Sequence, residues 1–452
     1  MKLPPRAVLA RLGWATGAYG TTQGVRLFAN VVLARLLAPE IFGIMLIVNT
    51  LRTGIELLSD IGIGQNIVTS RRGEDPDFLD TAWTLQILRG FLLAGAFALA
   101  AGPIGTLYGG DLSAILPVAA GYLAITGFQS VGKFVAQRRQ NVKRLTALET
   151  AATVLGALVQ IAIAWVWPTV WALVYAGLFG ALFSTIATYA MVPGLRLRFR
   201  LTAVHAREII TFGKWIFASS ILYFAATNFD RLYLGTAIPL AVLGVYGVAR
   251  SLSDVVALLV GYAANVVVFP AVAAAREAHA DIRTKVSRSR FPLLAAAALG
   301  IAGFAALADV VIYTLYDARY HDAALMLPVL VIGVWFTILT TMGEAVLMGI
   351  GKPAYGTAAN AVKLGWLVIG LPLGIQYYGV AGAVLVTALA DAIRYVPVVL
   401  AQRRERVSFV RQDVATTIAM LATFLLLREL SGLIGLTSGL EGWWALAQGA
   451  LA

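Results

Sequence analysis

Residues 324–349 read ALMLPVLVIGVWFTILTTMGEAVLMG, and they hold a single ionisable side chain, Glu344. As an α-helix this stretch would be about 39 Å long, more than the roughly 30 Å of hydrocarbon in a bilayer. Backbone amides and carbonyls in lipid need partners within the chain, and a helix supplies them within one segment. The stretch therefore predicts a membrane-spanning helix.

The rest of the chain repeats this pattern. Of its 452 residues only 13% are charged and 60% are hydrophobic, whereas soluble proteins carry about 25% charged residues. The weak alternation typical of membrane β-barrels is absent. We therefore predict an all-α polytopic membrane protein with 12–14 transmembrane helices, placed at 12–36, 41–68, 79–105, 112–133, 146–166, 169–192, 211–235, 240–270, 291–315, 324–349, 355–376, 379–401 and 412–429.

The last stretch, residues 431–452, leaves the helix count open. It contains Glu441, Trp443 and Trp444 in its middle. Tryptophan is enriched where a membrane meets water, so the stretch predicts either a fourteenth span or a helix lying in the interface.

Basic side chains lie in alternate connecting segments. The N-terminal segment and every second loop are rich in Lys and Arg, whereas residues 103–111 and 166–170 hold none. By the positive-inside rule the basic segments are cytoplasmic, which predicts a cytoplasmic N-terminus in a bacterial inner membrane. The net charge of +12 would suggest nucleic acid for a soluble protein. Here it marks orientation, and we expect no nucleic-acid partner.

The two halves of the chain resemble each other. Leu12-Gly13 matches Phe212-Gly213 at an offset of 200 residues, in the first and the seventh predicted helix. Because six helices separate the matching positions, the halves should be parallel repeats related by an axis along the membrane normal, with a cavity between them. We expect one six-helix lobe at 1–200, a second at 201–402, and an extension with one or two helices at 403–452.

Motifs of the common enzyme classes are absent from the sequence. There is no P-loop and no G-x-S-x-G motif, the three histidines lie in three different loops, and there is no cysteine. No loop exceeds about 20 residues, so none can fold as a domain of its own. We therefore expect a protein that is not an enzyme and holds no metal or cofactor.

Ionisable side chains at predicted membrane depth are the candidate functional residues. A charge at the bilayer centre costs about 2.5–3.5 kcal/mol, so such residues face the bundle interior or a water-filled cavity. Guanidinium groups bind phosphate in a bidentate manner. The bases that we expect to line a cavity for an anionic substrate are Arg26, Arg52, Arg89 and Arg250. Alternatively, Arg52 with Glu56, and Arg250 with Asp254, form pairs four residues apart that only lower the cost of insertion.

Acidic side chains at the same depth allow a second role. They would bind a proton or a sodium ion whose gradient drives transport, or else form ion pairs with nearby arginines. The acids in question are Glu56, Asp60, Asp230, Asp254 and Asp391.

Short motifs along residues 10–400 resemble a known family. They read RLLAPEIFG at 35–43, ELLSDIGIG at 56–64, NFDRLYLG at 228–235 and GIGKP at 349–353. In type and order they are similar to the polysaccharide-transporter (Wzx-like) family of the multidrug/oligosaccharidyl-lipid/polysaccharide exporter superfamily.

This resemblance implies a flippase that moves undecaprenyl-diphosphate-linked oligosaccharide across the inner membrane by alternating access of two lobes, for exopolysaccharide, capsule or O-antigen assembly. The implied partners are the lipid-linked oligosaccharide, membrane lipids, and a polysaccharide polymerase with other assembly proteins. Two alternatives stay open. One is a cation-coupled antiporter for drugs or small molecules in the same superfamily, which would favour an acidic cavity. The other is a membrane enzyme of glycan assembly, which would need acids or histidines in outer loops.

Overall fold

The computed structural model describes residues 6–59, 61–109, 111–277 and 281–440. These residues form helices and connecting loops, with no β-strand among them. The first half contains α1 (Arg6–Leu36), α2 (Pro39–Leu58), α3 (Ile63–Thr69), α4 (Pro76–Leu99), α5 (Ala101–Tyr108), α6 (Leu112–Gly127), α7 (Gly132–Arg138), α8 (Val142–Val166) and α9 (Val170–Ala190). The second contains α10 (Ala203–Ala237), α11 (Leu240–Glu277), α12 (Ile282–Ala306), α13 (Ala308–Leu315), α14 (Ala323–Gly349), α15 (Ala354–Arg404) and α16 (Val410–Leu433).

The number of membrane crossings follows from helix length and hydropathy. Nine described helices are long and apolar enough to cross, and the bent pair α6–α7 makes a tenth. The 51 residues of α15 would reach about 76 Å as one helix, and α15 breaks near its middle, so it crosses twice. Helices α1 and α10, with 31 and 35 residues, are also long enough. Counting α15 twice and including α1 and α10 by length alone, the described helices allow up to thirteen crossings. The all-α polytopic fold is confirmed. Residues 441–452, where we predicted a possible fourteenth span, lie outside the described part of the chain.

Two predicted helices are interrupted in the structure. The helix predicted at 41–68 ends at Leu58, and α3 follows Gly62, whose φ of 67° lies in the left-handed region that favours glycine. The helix predicted at 112–133 ends at Gly127, and α7 continues from Gly132 at an angle of 51°. Because α3 packs against α7, both interruptions lie at one end of the same bundle.

The break in α15 makes a tight hairpin. Gly379 has a φ of 55° and a ψ of −142°, a conformation open to glycine that reverses the chain. Past this turn the two halves approach closely, since a Cβ on Gly374 would lie 3.0 Å from the carbonyl oxygen of Gly382. Small residues at such a contact let two membrane helices pack backbone to backbone.

The chain divides into two compact units, Met1–Phe224 and Ala225–Ala452, which part within α10. In the first unit α1 packs on α8, and α4, α6 and α9 form a layered core. In the second unit α14 packs between α11 and α15, and α16 packs on α12. The predicted lobe boundary at 200/201 lies earlier, between α9 and α10.

The linker between α9 and α10 is held by its backbone. The N–H groups of Arg198, Arg200 and Thr202 donate to side-chain oxygens of α4, at distances of 2.9, 3.0 and 3.2 Å. The acceptors are Asp80, Thr84 and Thr81. Every second linker residue is thus bound to the first part of α4. These bonds help to fix the position of α4, which lines a cavity in the first unit.

Helix α16 is joined to α12 and α13 by buried ion pairs. Near its start, Asp413 lies 2.6 Å from Arg290 of α12, and both side chains are buried. Near its end, Arg428 forms a bidentate pair with Asp309 of α13, with two N–O distances of 2.6 Å. Within the extension predicted at 403–452, the described helix α16 therefore packs inside the second unit through charges as well as apolar contacts.

Candidate functional site

A polar cavity lies inside the first unit. Its volume is about 750 Å3, and it is lined by α2, α3, α4, α6, α7, α8 and α9. The uncharged polar groups in its wall include the side chains of Gln86, Tyr122, Gln129, Ser184 and Thr188. Its ionisable wall residues are Glu56, Arg89, Lys133 and Glu149. Such a lining can bind a hydrophilic ligand that carries charge.

The break between α6 and α7 forms part of the cavity wall. Gln86 of α4 donates to the carbonyl oxygens of Gly127 and Gln129 at 3.1 and 2.7 Å. Tyr189 donates to the carbonyl of Phe128 at 2.7 Å. Irregular backbone at membrane depth is stable only when its polar groups find partners in the protein or in a water-filled cavity. Here α4 and α9 supply those partners, and the break is stable.

Lys133 follows this break on the first turn of α7. Its Nζ donates to Oε1 of Gln129 at 2.8 Å and lies 4.8 Å from the ring centre of Phe134. A lysine near the end of a straight membrane helix would extend its side chain toward the membrane surface. Instead, the bend of α7 places it on the cavity wall.

Arg89 of α4 binds the end of α2. Its Nη2 donates to the backbone carbonyl of Glu56 at 2.6 Å and to Oγ of Ser59 at 2.8 Å. A cation at this position also interacts favourably with the C-terminal end of the α2 dipole. The predicted cavity residue Arg89 thus lines the cavity and at the same time fixes the interruption between α2 and α3.

Arg52 of α2 stacks on an aromatic ring of the cavity wall. Its guanidinium carbon lies 3.9 Å from the ring centre of Tyr122, a distance at which a cation is attracted to the ring face. Within the described residues no carboxylate lies within 4 Å of Arg52, so the predicted pair with Glu56 does not form. Tyr122 is the partner that the sequence did not reveal.

Arg26 of α1 is exposed and lies one helical turn after Thr22, whose hydroxyl is 3.1 Å from that of Thr150, the neighbour of the cavity residue Glu149. Like Arg52, it has no carboxylate within 4 Å in the described part of the chain. Arg26 and Arg52 therefore add positive charge beside a cavity wall that holds two bases and two acids. Among the described residues in and beside this cavity, four bases thus face two acids.

The second unit contains a different arrangement, in which bases and acids contact each other. Arg250 Nε lies 3.3 Å from Oδ1 of Asp254 and 3.9 Å from Oδ2 of Asp230. Tyr246 donates to Asp230 at 2.5 Å, and Arg231 pairs with Asp254. The pair predicted between Arg250 and Asp254 forms, and Asp230 joins it as a second carboxylate.

Two further pairs lie on α14 and α15. Lys363 Nζ is 2.7 Å from Oδ1 of Asp391, which joins the two halves of the α15 hairpin. Arg394 donates to both carboxylate oxygens of Glu344 at 2.9 and 3.0 Å. Each of the predicted acids Asp230, Asp254 and Asp391 thus contacts a base. Asp60, the remaining predicted acid, lies outside the described residues.

No group of three His, Asp or Glu side chains that could hold a metal ion occurs among the described residues. The predicted site residues Arg26, Arg52, Arg89 and Glu56 lie in or beside the cavity of the first unit. Tyr122, Glu149 and the glutamines of this site were not predicted from the sequence. They come from helices distant in sequence, and neither periodicity nor charge distinguishes them from other wall residues.

Known proteins share this sequence pattern and this fold. The family model described as "Polysaccharide biosynthesis protein" matches residues 32–325. The lipopolysaccharide biosynthesis protein WzxC of Escherichia coli K12 is 22% identical over 393 residues, which cover 84% of this chain and 77% of WzxC.

Two solved structures show the same architecture. The lipid II flippase MurJ in an inward closed conformation has a TM-score of 0.75 at 11% identity, over 91% of each chain. An inward-facing multidrug resistance MATE transporter of the MOP superfamily has a TM-score of 0.68 at 17% identity, over 85% of this chain and 94% of that one. At such identities the likeness concerns the fold. Since the family model covers well over half of the sequence, this chain belongs to the polysaccharide biosynthesis protein family, as a Wzx-like, multi-pass membrane protein.

Proposed function

We propose that this protein is a flippase that translocates an undecaprenyl-diphosphate-linked oligosaccharide across the bacterial inner membrane, for exopolysaccharide, capsule or O-antigen assembly. The observation that carries the proposal is the polar cavity of the first unit, with Arg26 and Arg52 beside it and without carboxylate partners within 4 Å among the described residues. A diphosphate supplies the anion that such guanidinium groups bind.

The size of the cavity suits a head group. Its volume of about 750 Å3 falls within the roughly 300–1,000 Å3 of small-ligand sites. A diphosphate with its first sugars would occupy it, with the amides of Gln86 and Gln129 as hydrogen-bond partners for hydroxyl groups. The polyprenyl chain would stay in lipid, because moving apolar surface into a polar cavity is unfavourable.

The orientation of the chain in the membrane determines from which side a substrate would enter the cavity. If the basic loops are cytoplasmic, as the positive-inside rule implies, then the end of the first unit that carries α3 and α7 faces the cytoplasm. A lipid-linked sugar built in the inner leaflet would enter there. Alternating access would then expose the head group to the periplasm.

A drug antiporter on the same fold is the competing function. Cationic drugs need a surplus of acid, whereas Arg26 and Arg52 give the described residues in and beside this cavity a surplus of base. An enzyme of glycan assembly is disfavoured because the described loops are short and hold no group of acids or histidines with the spacing of a metal site.

The test is complementation of a strain that lacks this protein. Arg52→Met and Lys133→Met should abolish surface polysaccharide and leave the lipid-linked repeat unit in the inner leaflet, with normal protein levels. Arg319→Met is the matched control, because Arg319 pairs with Asp317 at an exposed site, and it should export normally. Normal export by both cavity variants would refute the proposed site.

A further inference from the structure

In the second unit, one network of contacting bases and acids is balanced in charge. Within its described residues the bases and acids that contact each other on α10, α11, α14 and α15 are equal in number. The bases are Arg231, Arg250, Lys363 and Arg394, and the acids are Asp230, Asp254, Glu344 and Asp391. A network that is already neutral offers little attraction to an additional inorganic cation.

Lys363 is the member of this network that most resembles a bound ion. It lies on the first half of α15 and Asp391 on the second, and their side chains are each 7% exposed. An ammonium group is a compact point charge with three donors, unlike the planar guanidinium of arginine. Its Nζ lies 2.7 Å from the Asp391 carboxylate.

Oxygen atoms suited to a small cation lie on the same helix faces. Thr387 precedes Asp391 by four residues and Asn360 precedes Lys363 by three, spacings that place side chains on one face of a helix. Thr387 Oγ1 and Asn360 Oδ1 are buried, and neither forms a hydrogen bond within the described residues. Hydroxyl, amide and carboxylate oxygens are the ligands of hard monovalent and divalent cations.

We propose that Lys363 is a tethered counter-ion that occupies the position of a monovalent cation beside Asp391, so that this unit takes up no Na⁺ or Li⁺. Without the ammonium group, Asp391 becomes a buried carboxylate with spare oxygen ligands on the same helix faces. That arrangement binds Na⁺ or Li⁺. The inference concerns the second unit alone and does not depend on the substrate proposed above.

The experiment is thermal unfolding of the purified full-length protein in detergent, in NaCl, LiCl or choline chloride at one ionic strength. The wild type should unfold at one temperature in all three salts. Lys363→Met should lose roughly 3–10 °C in choline chloride, because one partner of a buried pair is missing. Na⁺ or Li⁺ should restore much of this loss in a saturable manner, because a ligand that binds only the folded state stabilises it.

Two further variants separate the cation effect from a structural one. The double variant Lys363→Met/Asp391→Asn removes the carboxylate and should respond equally to all three salts. Arg319→Met leaves Asp317, a half-exposed acid that water reaches, and should show no preference for Na⁺. Lys363→Gln, which keeps most of the length and loses the charge, repeats the measurement if the methionine variant does not fold.

Two results would overturn the proposal. One is a saturable rise of the wild-type unfolding temperature with Na⁺ or Li⁺ and not with choline. The other is a folded Lys363→Met or Lys363→Gln protein that unfolds at the same temperature in every salt. If neither variant folds, the wild-type measurement alone decides. Cation binding is measured here without any transport assay, so failure of the flippase proposal leaves this result unchanged.

Discussion

Replacing Arg428 by methionine should destabilise the second unit strongly. All five N–H groups of this guanidinium donate: to the carbonyls of Ala306 and Gly439, to Ser438, and to both carboxylate oxygens of Asp309. The side chains of Arg428 and Asp309 are 1% and 6% exposed. Removing one partner of a buried pair leaves the other charge uncompensated, which costs about 3–5 kcal/mol.

The double variant Asp309→Leu/Arg428→Met should recover most of this loss. It leaves no buried charge, and a buried pair can often be exchanged for apolar residues at little cost. What it loses is chiefly the hydrogen bonds to the two carbonyl oxygens, about 1 kcal/mol each. The coupling energy between the two positions should therefore be at least about 2 kcal/mol.

The measurement is unfolding in mixed detergent–SDS micelles followed by circular dichroism, on the wild type, both single variants and the double variant. Arg319→Met is the control, since an exposed ion pair contributes about 0–1 kcal/mol. Neither Arg428 nor Asp309 lines the first cavity, so the double variant should still restore surface polysaccharide. If the free energy of unfolding of Arg428→Met lies within about 1 kcal/mol of the wild-type value, the buried pair does not stabilise the second unit as argued above.

Three further changes test other parts of the fold. Gly374→Ala should lower the unfolding temperature and the protein level, because its Cβ would press on the Gly382 carbonyl at 3.0 Å, and overpacking costs about 1–3 kcal/mol. Gln86→Leu should destabilise by a similar amount, about 1–3 kcal/mol for orphaned carbonyls at the α6–α7 break, and hydrogen exchange should rise first in α7. Arg139 donates to Glu74 in an exposed loop and lowers the pKa of that carboxyl. This pair therefore stabilises the folded state at a pH above the ordinary carboxyl pKa, and the stabilisation is lost as the pH falls through the lowered pKa. Arg139→Gln should therefore unfold slightly earlier than the wild type at pH 7, by less than about 1 kcal/mol, and a pH series of unfolding temperatures should show the difference vanish in acid.

The positions of the helices were predictable because hydropathy acts locally. The residues 324–349 are apolar enough by themselves to predict a membrane helix, and α14 covers Ala323–Gly349. The interruptions after Leu58 and Gly127 were not predictable in this way. Gln86 and Tyr189, which stabilise the second one, lie on other helices, and their contribution appears only after folding.

The candidate site was predictable in its charges and not in its pairings. Arg250 and Asp254 pair at the expected spacing of four residues, whereas Arg52 turns away from Glu56 to the ring of Tyr122, seventy residues later in the chain. Lys363 and Asp391 are paired through the register of a hairpin that Gly379 sets. Spacing along one helix predicts only the first of these three.

At alternate positions of the linker at residues 195–202, the path of the chain depends on backbone groups and not on side chains. Its backbone is held by Asp80, Thr81 and Thr84 of α4. The side chains at Arg198, Arg200 and Thr202 can therefore change without loss of these bonds, whereas Leu195 and Leu197 pack on the core of the first unit. Proline should not be tolerated at Arg198, Arg200 or Thr202, because it lacks the N–H group that donates to α4. A library of variants through this linker should tolerate nearly every residue type at these alternate positions and reject proline there, with the selective constraint residing more than a hundred positions upstream.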